Sequence, residues 1–298
     1  TLSAADLGAV TAKTTGTVTL DNAQTISGTG AEVTAALITN AATLSAASNA
    51  TVTGNVTAEV AGNIANVTDI TAAFSGTITD TLANLADSGS ITTNFSRARG
   101  DDGDVNVVVS DGTGTLSAAD LGAVTAKTTG TVTLDNAQTI SGSGAELIAA
   151  LKTNAATLSA ASTATVTSAV TAAVAAEIAA IASITLDSSG SGTITDTLAN
   201  LLNGGQTAIS DDYSNARAED TDINVIISDG TGTIDAAKLN LIAAKTSGTV
   251  TLENAQTISG TGTEVTTALI TDAVTLGAAS NATCLLYTSP SPRDFTES

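Results

Sequence analysis

Apolar positions along this chain follow two rhythms. In the first, Leu, Val or Ile recur three to four places apart behind a hydroxyl residue and an acid. Ser3 and Asp6 lead Leu7 and Val10, Thr29 and Glu32 lead Val33 and Leu37, and Thr77 and Asp80 lead Leu82 and Leu85. The same arrangement returns at Ser117/Asp120, Ser143/Glu146, Thr193/Asp196 and Thr261/Glu264. Thr57-Ala-Glu59-Val60 with Ile64 keeps the apolar part without the spacing. Apolar residues at that period line one face of a helix. A hydroxyl three residues before an acid reads as a capping box, with Asp in several copies where Glu or Gln is usual. The pattern predicts helices of about 8–11 residues, too short to persist alone in water.

The second rhythm is alternating or β-branched. Thr17–Leu20, Ala50–Thr53, Thr77–Thr79 and Val105–Val109 read as short strands. Gly and Asn punctuate them, as at Ser27-Gly-Thr-Gly30 and Asp111-Gly-Thr-Gly114.

These elements repeat. Residues 1–28 recur identically as 115–142, and a looser third copy starts at Thr233. The large repeats are therefore 1–114, 115–232 and a partial 233–283. Inside the first, Asp6, Glu32, Glu59 and Asp80 lie 26, 27 and 21 residues apart, the length of one solenoid turn. A unit of that size cannot cover its own apolar face, but stacked neighbours can. The expected fold is α/β: an elongated repeat solenoid of short strands and short helices with a parallel sheet along one side. A β-sandwich array and an all-strand β-helix are the alternatives.

Composition narrows the chemistry. The chain has 298 residues, no His, Met or Trp, one Cys, and a net charge of −20 from 29 acidic and 9 basic residues. Without His or a second Cys there is no Ser-His-Asp triad, no Cys-His pair and no usual zinc site. The charge repels phosphate backbones, so nucleic acid is not an expected partner. No apolar run is long enough for a membrane helix, so membrane insertion is not expected either. The core has to come from Ala, Val, Leu and Ile, with Phe74, Phe95 and Tyr213 as the aromatics before the last segment. Small side chains bury little area each, so backbones must approach closely instead. Lys13, Lys127 and Lys245 are equivalent and read as solvated residues past helix ends.

Residues 284–298, CLLYTSPSPRDFTES, stand apart. They hold the one Cys and both Pro, and the repeat correspondence with Thr43–Thr51 ends where Cys284 answers Val52. The stretch resembles a translated sequencing adaptor, so it is expected to be a non-native tail. The opening in mid-repeat likewise reads as a fragment edge.

The densest acidic stretch supplies the candidate site. Both copies keep Asp-x-Asp-x-Asn: Asp102, Asp104 and Asn106, then Asp220, Asp222 and Asn224. Oxygen ligands at alternate positions can curl around Ca²⁺, which makes calcium the candidate cofactor. Against this, Val107 and Val225 stand where a calcium loop has its glycine, and no bidentate Glu follows. If the strand starts early, the same spacing merely sets three polar residues on a solvated face. Asp111 and Asp229, in Ser-Asp-Gly-Thr-Gly-Thr, read as turn residues. Arg99-Gly100-Asp101 spells an integrin-type tripeptide, but the second copy has Arg217-Ala-Glu219.

Gly-Thr-Val-Thr-Leu, Ala-Gln-Thr-Ile-Ser-Gly and Val-Asn-Val-Val-Val-Ser-Asp resemble the Thr/Ala/Gly-rich tandem repeats of very large bacterial surface or secreted proteins, cyanobacterial ones in particular. The resemblance covers 1–283 in composition and repeat style and transfers no functional residue. It implies an extracellular or cell-surface location. The expected function is structural or adhesive and non-catalytic, with a surface glycan or another cell-surface protein as partner. A calcium-binding repeat module and a polysaccharide-acting β-helix enzyme are the alternatives. The enzyme would need one singular acidic cleft.

Overall fold

The computed structural model describes residues 1–188 and 192–285. The chain divides into two compact units, Thr1–Ala164 and Thr165–Ser298. Each is mixed α/β, with short strands in parallel sheets and short helices between them. Among the described residues no sheet closes into a barrel.

In the first unit, Leu2–Ser3, Thr25–Thr29, Ser48–Thr53 and Ile70–Phe74 form one parallel ladder in which Leu2 pairs with Ile26, Ile26 with Ala50 and Ala50 with Ala72. A second ladder runs through Thr77–Asp80, Asn106–Val109, Val132–Leu134 and Thr157–Leu158. Paired positions lie between 22 residues apart (Ser48 and Ile70) and 29 apart (Thr77 and Asn106). Parallel neighbours need a crossover of a dozen or more residues, and the short helices supply it. A sandwich array would instead pair its strands antiparallel. Among the described residues that pairing occurs only in the hairpin Ala86–Ile91 and at the Leu202–Ile209 bridge.

The second unit repeats the scheme. Thr193–Asp196, Asn224–Ile227, Val250–Leu252 and Thr275–Leu276 form one parallel ladder, and Gly232–Asp235, Gln256–Gly260 and Asn281–Cys284 another. Cys284 pairs with Gly260 as Val52 pairs with Gly28. The ladder thus continues into the first residue of the segment read as foreign. Cys284 is a free, exposed thiol, and 286–298 lie outside the described residues.

The core is built as the composition requires. Along Ile70–Phe74 the alternation puts Ile70, Ala72 and Phe74 inside and leaves Thr71 and Ala73 exposed. On Ala58–Ala65 the buried face is Ala58, Ala61, Gly62 and Ile64. An ideal Cβ on Gly62 would stand 2.5 Å from the Asn94 Cα, so this helix meets Thr93–Asp101 backbone to backbone. Close approach does the work of bulk.

Several local expectations change. Thr77/Asp80 and Thr193/Asp196 do not cap helices. They lie in strands, and the four-residue helices Leu82–Leu85 and Leu198–Leu201 start after Thr81 and Thr197. The strand prevails because Ile78 and Ile194 are fully buried in it, and because both carboxylates are claimed by the preceding coil, a coil being the stretch of chain from one paired strand to its next parallel partner. The reciprocal capping box forms where the acid is Glu, at Thr29/Glu32, Ser143/Glu146 and Thr261/Glu264. Ser3 and Ser117 only accept from the backbone of Asp6 and Asp120. Helices run 4 to 9 residues, shorter than expected at the lower end.

The three boxed helices continue as π-turns over 35–39, 149–153 and 267–271, closed by Asn40 N–H to Ala35 O (3.0 Å), Asn154 to Ala149 (3.0 Å) and Asp272 to Thr267 (2.7 Å). Each is followed by an alanine in the left-handed region: Ala41 at φ 45°, Ala155 at 49° and Ala273 at 49°.

Candidate functional site

The two Asp-x-Asp-x-Asn stretches form equivalent corners between a helix and a strand. In the first, Asp102 follows the helix Thr93–Asp101 and Asn106 opens the strand Asn106–Val109. The strand therefore starts one residue later than the Val105–Val109 reading. In the second, Asp220 follows Asp211–Glu219 and Asn224 opens Asn224–Ile227.

The three polar residues of each corner do not converge. Asp102 reaches back to the previous coil, where its carboxylate accepts from Phe74 N–H at 2.6 Å. Asn106 reaches forward, and its Oδ1 accepts from Thr131 N–H at 2.8 Å and Thr131 Oγ1 at 2.9 Å. In the second corner Asp220 accepts from Ser188 N–H at 2.8 Å and from the Ser188 hydroxyl, while Asn224 Oδ1 accepts from Thr249 N–H and Oγ1, both at 2.8 Å. The middle acids Asp104 and Asp222 stay beside Asp102 and Asp220. Each corner is thus tied to one coil behind and one ahead.

The next coil crosses the corner at close range. Thr128 Oγ1 donates to Val105 O at 2.6 Å, and Thr246 Oγ1 to Ile223 O at 2.7 Å. An ideal Cβ on Gly130 would stand 2.3 Å from Asp104 O, and on Gly248 2.2 Å from Asp222 O. Only glycine fits there.

The corner carboxyls differ in proton affinity. Burial pushes Asp102 above its ordinary value of 3.8 despite the Phe74 N–H, and the neighbouring Asp104 adds to the rise. Burial also works to raise Asp220, but hydrogen bonds from Asp222 and from the Ser188 side chain and backbone outweigh it and hold that carboxyl below 3.8. Asp222 is raised by its hydrogen bond to Asp220 and by that residue's charge. The raised carboxyl is thus Asp102 in the first corner and Asp222 in the second.

Among the described residues no three acids or thiols come together in a way that could hold a metal ion. The candidate ligands Asp102, Asn106, Asp220 and Asn224 already turn oxygens to backbone N–H groups. That leaves only the pairs Asp102/Asp104 and Asp220/Asp222 adjacent.

A second set of carboxylates, read from the sequence as helix caps and turn residues, reaches other parts of the chain instead. Asp80 Oδ2 accepts from Ala58 N–H at 2.9 Å, and its Oδ1 accepts from Thr81 N–H at 2.9 Å and Asn84 Nδ2 at 2.7 Å. Asp196 repeats all three bonds with Ala172, Thr197 and Asn200, at 3.0, 2.9 and 2.7 Å. Both are buried. Asp111 and Asp229, read as turn residues, accept from Leu82 N–H at 2.6 Å and Leu198 N–H at 2.7 Å, at the starts of helices in the preceding coil. The available signal was recurrence in both large repeats. Asp101, of the integrin-type tripeptide, accepts from Ala72 N–H at 2.8 Å.

One polar cleft of about 340 Å³ in the first unit is lined by Glu59, Asp80, Asn84, Thr92 and Asn94, with Thr57 among the rest. Asp80 has both oxygens engaged as above. Glu59 is answered by Ala173 in the next large repeat.

Comparison with known proteins gives little. No family model matches the chain, and no curated protein matches it. Two solved structures are similar. One is the crystal structure of the PEPR1–AtPEP1 complex, at 9% identity and TM-score 0.23, covering 89% of this chain and 34% of that one. The other is the plant peptide hormone receptor RGFR1 with RGF2, at 12% identity and TM-score 0.20, covering 94% and 54%. The chain spans about a third and about half of their lengths, and likeness at these TM-scores carries no argument about fold or function.

Proposed function

We propose that residues 1–283 are a structural, non-catalytic repeat module of a secreted or cell-surface protein, with each unit a solenoid of stacked coils. The observation that carries this reading is the pair Asp80 and Asp196. Both are buried, Asp80 lines a polar cleft, and at both repeat-equivalent positions each oxygen accepts from backbone or amide N–H groups. A general acid or base has to reach the substrate's proton, whereas both oxygens of these carboxylates are turned to protein N–H groups. An active site also needs one singular constellation, whereas these acids recur. The net charge of −20 keeps such a module soluble and away from phosphate polymers. No helix among the described residues is long and apolar enough to cross a membrane. Its partners are then other surface proteins or surface glycans.

Thermal unfolding tests this with millimolar Ca²⁺ or with a chelator, alongside incubation with polysaccharides. The expected result is one melting temperature in both buffers and no new reducing ends. A clear rise with Ca²⁺ would move the reading to a calcium-dependent module, since a ligand that binds only the folded state raises its stability. Release of sugar would replace it with the enzyme.

A further inference from the structure

Residues 1–28 and 115–142 have identical sequences in one compact unit, yet their surroundings differ. Val124 is fully buried, whereas its counterpart Val10 is 58% exposed. Leu116, Thr128, Val132 and Leu134 are buried where Leu2, Val18 and Leu20 are half-buried and Thr14 is exposed. What covers the second copy is visible. The helix Leu82–Leu85 and the hairpin Ala86–Ile91 pack on the helix Ala118–Thr125. At the hairpin tip Ser88 and Gly89 turn through positive φ, and Gly89 N–H donates to Asp120 Oδ1 at 2.6 Å.

The third copy uses the same contact with its chemistry changed. Position 238, equivalent to Asp120, is Lys, and its ammonium donates to Gln206 Oε1. Gln206 sits on a hairpin two residues longer, bridged Leu202 to Ile209 instead of Ala86 to Ile91. The short Ser-Gly hairpin goes with an acid, and the long Gln hairpin with a lysine. The helix Ala4–Thr11 carries Asp6, the acid form of this pair.

We infer that the face formed by Leu2, Asp6, Val10, Val18 and Leu20 is a docking surface for another coil of the Thr77–Asp111 class, one that bears the short Ser-Gly hairpin. The occupant is fixed by two observations: the same sequence is covered by such a coil at 115–142, and Asp6 presents the carboxylate that a Gly89-type N–H requires. A second copy of the chain cannot supply it without rearrangement, since its own hairpins already lie against Asp120 and Lys238. The inference stands on geometry and holds whether or not the module is adhesive.

The test uses the full chain with a duplicate of residues 77–114 joined ahead of Thr1, and Val10→Lys and Val124→Lys as probes. In the unextended chain Val124→Lys should lower the melting temperature sharply and Val10→Lys hardly at all. In the extended chain Val10→Lys should become as harmful as Val124→Lys. Hydrogen exchange of amides 7–12 should slow by about tenfold or more, the factor that ~1.4 kcal/mol of added local stability gives. Asp6→Lys should reverse part of that protection, and replacing the duplicate by residues 193–232, with the Gln206 hairpin, should restore it. Unchanged exchange on extension would overturn the inference. So would equal protection by both hairpins in the chain that keeps Asp6 and in the Asp6→Lys variant, or self-association of the unextended chain that Val10→Lys abolishes. That last result would give the surface to a second copy.

Discussion

The corners at 102–106 and 220–224 share a backbone course and differ in their neighbours, one of which donates to the corner aspartate itself. Position 74 is Phe and its counterpart 188 is Ser. Both give their N–H to the corner aspartate, but Ser188 adds a hydroxyl. The two carboxyls shift in opposite directions: Asp102 is raised, by burial first, while Asp220 is lowered despite burial, by its hydrogen bond with Asp222 first and by the Ser188 hydroxyl and N–H after that. A staple between coils therefore survives sequence drift, while its charge answers both to the adjacent acid and to a residue far away in the chain.

The largest effects should be common to both corners. Gly130→Ala and Gly248→Ala would drive a methyl into a backbone carbonyl oxygen that has no rotamer to yield. Each should cost on the order of 3 kcal/mol, read from urea unfolding. A loss in one corner alone would mean that the two crossings are not equivalent.

Next come Asp102→Asn and Asp220→Asn, where the corners should part. The folded pKa of Asp220 is below 3.8, so its contribution is complete above that value and is lost as pH falls through the folded pKa. The folded pKa of Asp102 is above 3.8, so the preference for its protonated form is complete below 3.8 and is lost as pH rises through the folded pKa. At pH 7 Asp220→Asn should destabilise by about 2 kcal/mol, the range for hydrogen bonds to a charged group. Asp102→Asn should be near neutral or stabilising there. The difference should shrink as the pH drops below 3.8, and equal losses at both pH values would count against the assignment.

Sharpest in meaning is Ser188→Ala, which removes a buried donor to a carboxylate. A carbon-13 titration of the Asp220 carboxyl should show its pKa move up towards the behaviour of Asp102. No movement would remove Ser188 as a cause of the contrast. Smaller and symmetric effects belong to the forward halves. Thr131→Val and Thr249→Val each remove one hydroxyl donor to Asn106 or Asn224 and keep the backbone bond. About 0.5 kcal/mol is expected from each, less than from Ser188→Ala, measured by the shift in denaturation midpoint.

How much of this could be read from the chain depends on distance along it. The Glu capping boxes were legible because both partners lie three residues apart, as at Thr29 and Glu32. The mixed α/β class with parallel strands was legible from identity and period. The corners were visible as a pattern, but their role was not. Alternate oxygens suit a cation, a solvated strand face or peptide N–H groups alike, and Phe74 lies 28 residues from Asp102. Asp80 was misplaced as a cap because its partner, Ala58, lies 22 residues back. Finding it requires the length of the coil, which varies from one turn to the next. Asp120 read only as a capping acid beside Ser117, and the pairings of Asp120 and Lys238 stayed hidden for the same reason: their partners lie 31 and 32 residues away.

The left-handed alanines after the π-turns carry a consequence for how such an array grows. An L-residue in that region is disfavoured by about 1–2 kcal/mol, and glycine would not be. Ala41, Ala155 and Ala273 show the penalty copied along with the sequence, each time beside a hydrogen bond that holds the bend, such as Ala42 N–H to Ala36 O and Ala156 N–H to Ala150 O. Duplication of a repeat therefore multiplies a local burden as faithfully as it multiplies the favourable contacts, and lengthening the array never dilutes it. Relief has to come copy by copy, through separate glycine replacements whose gains would add.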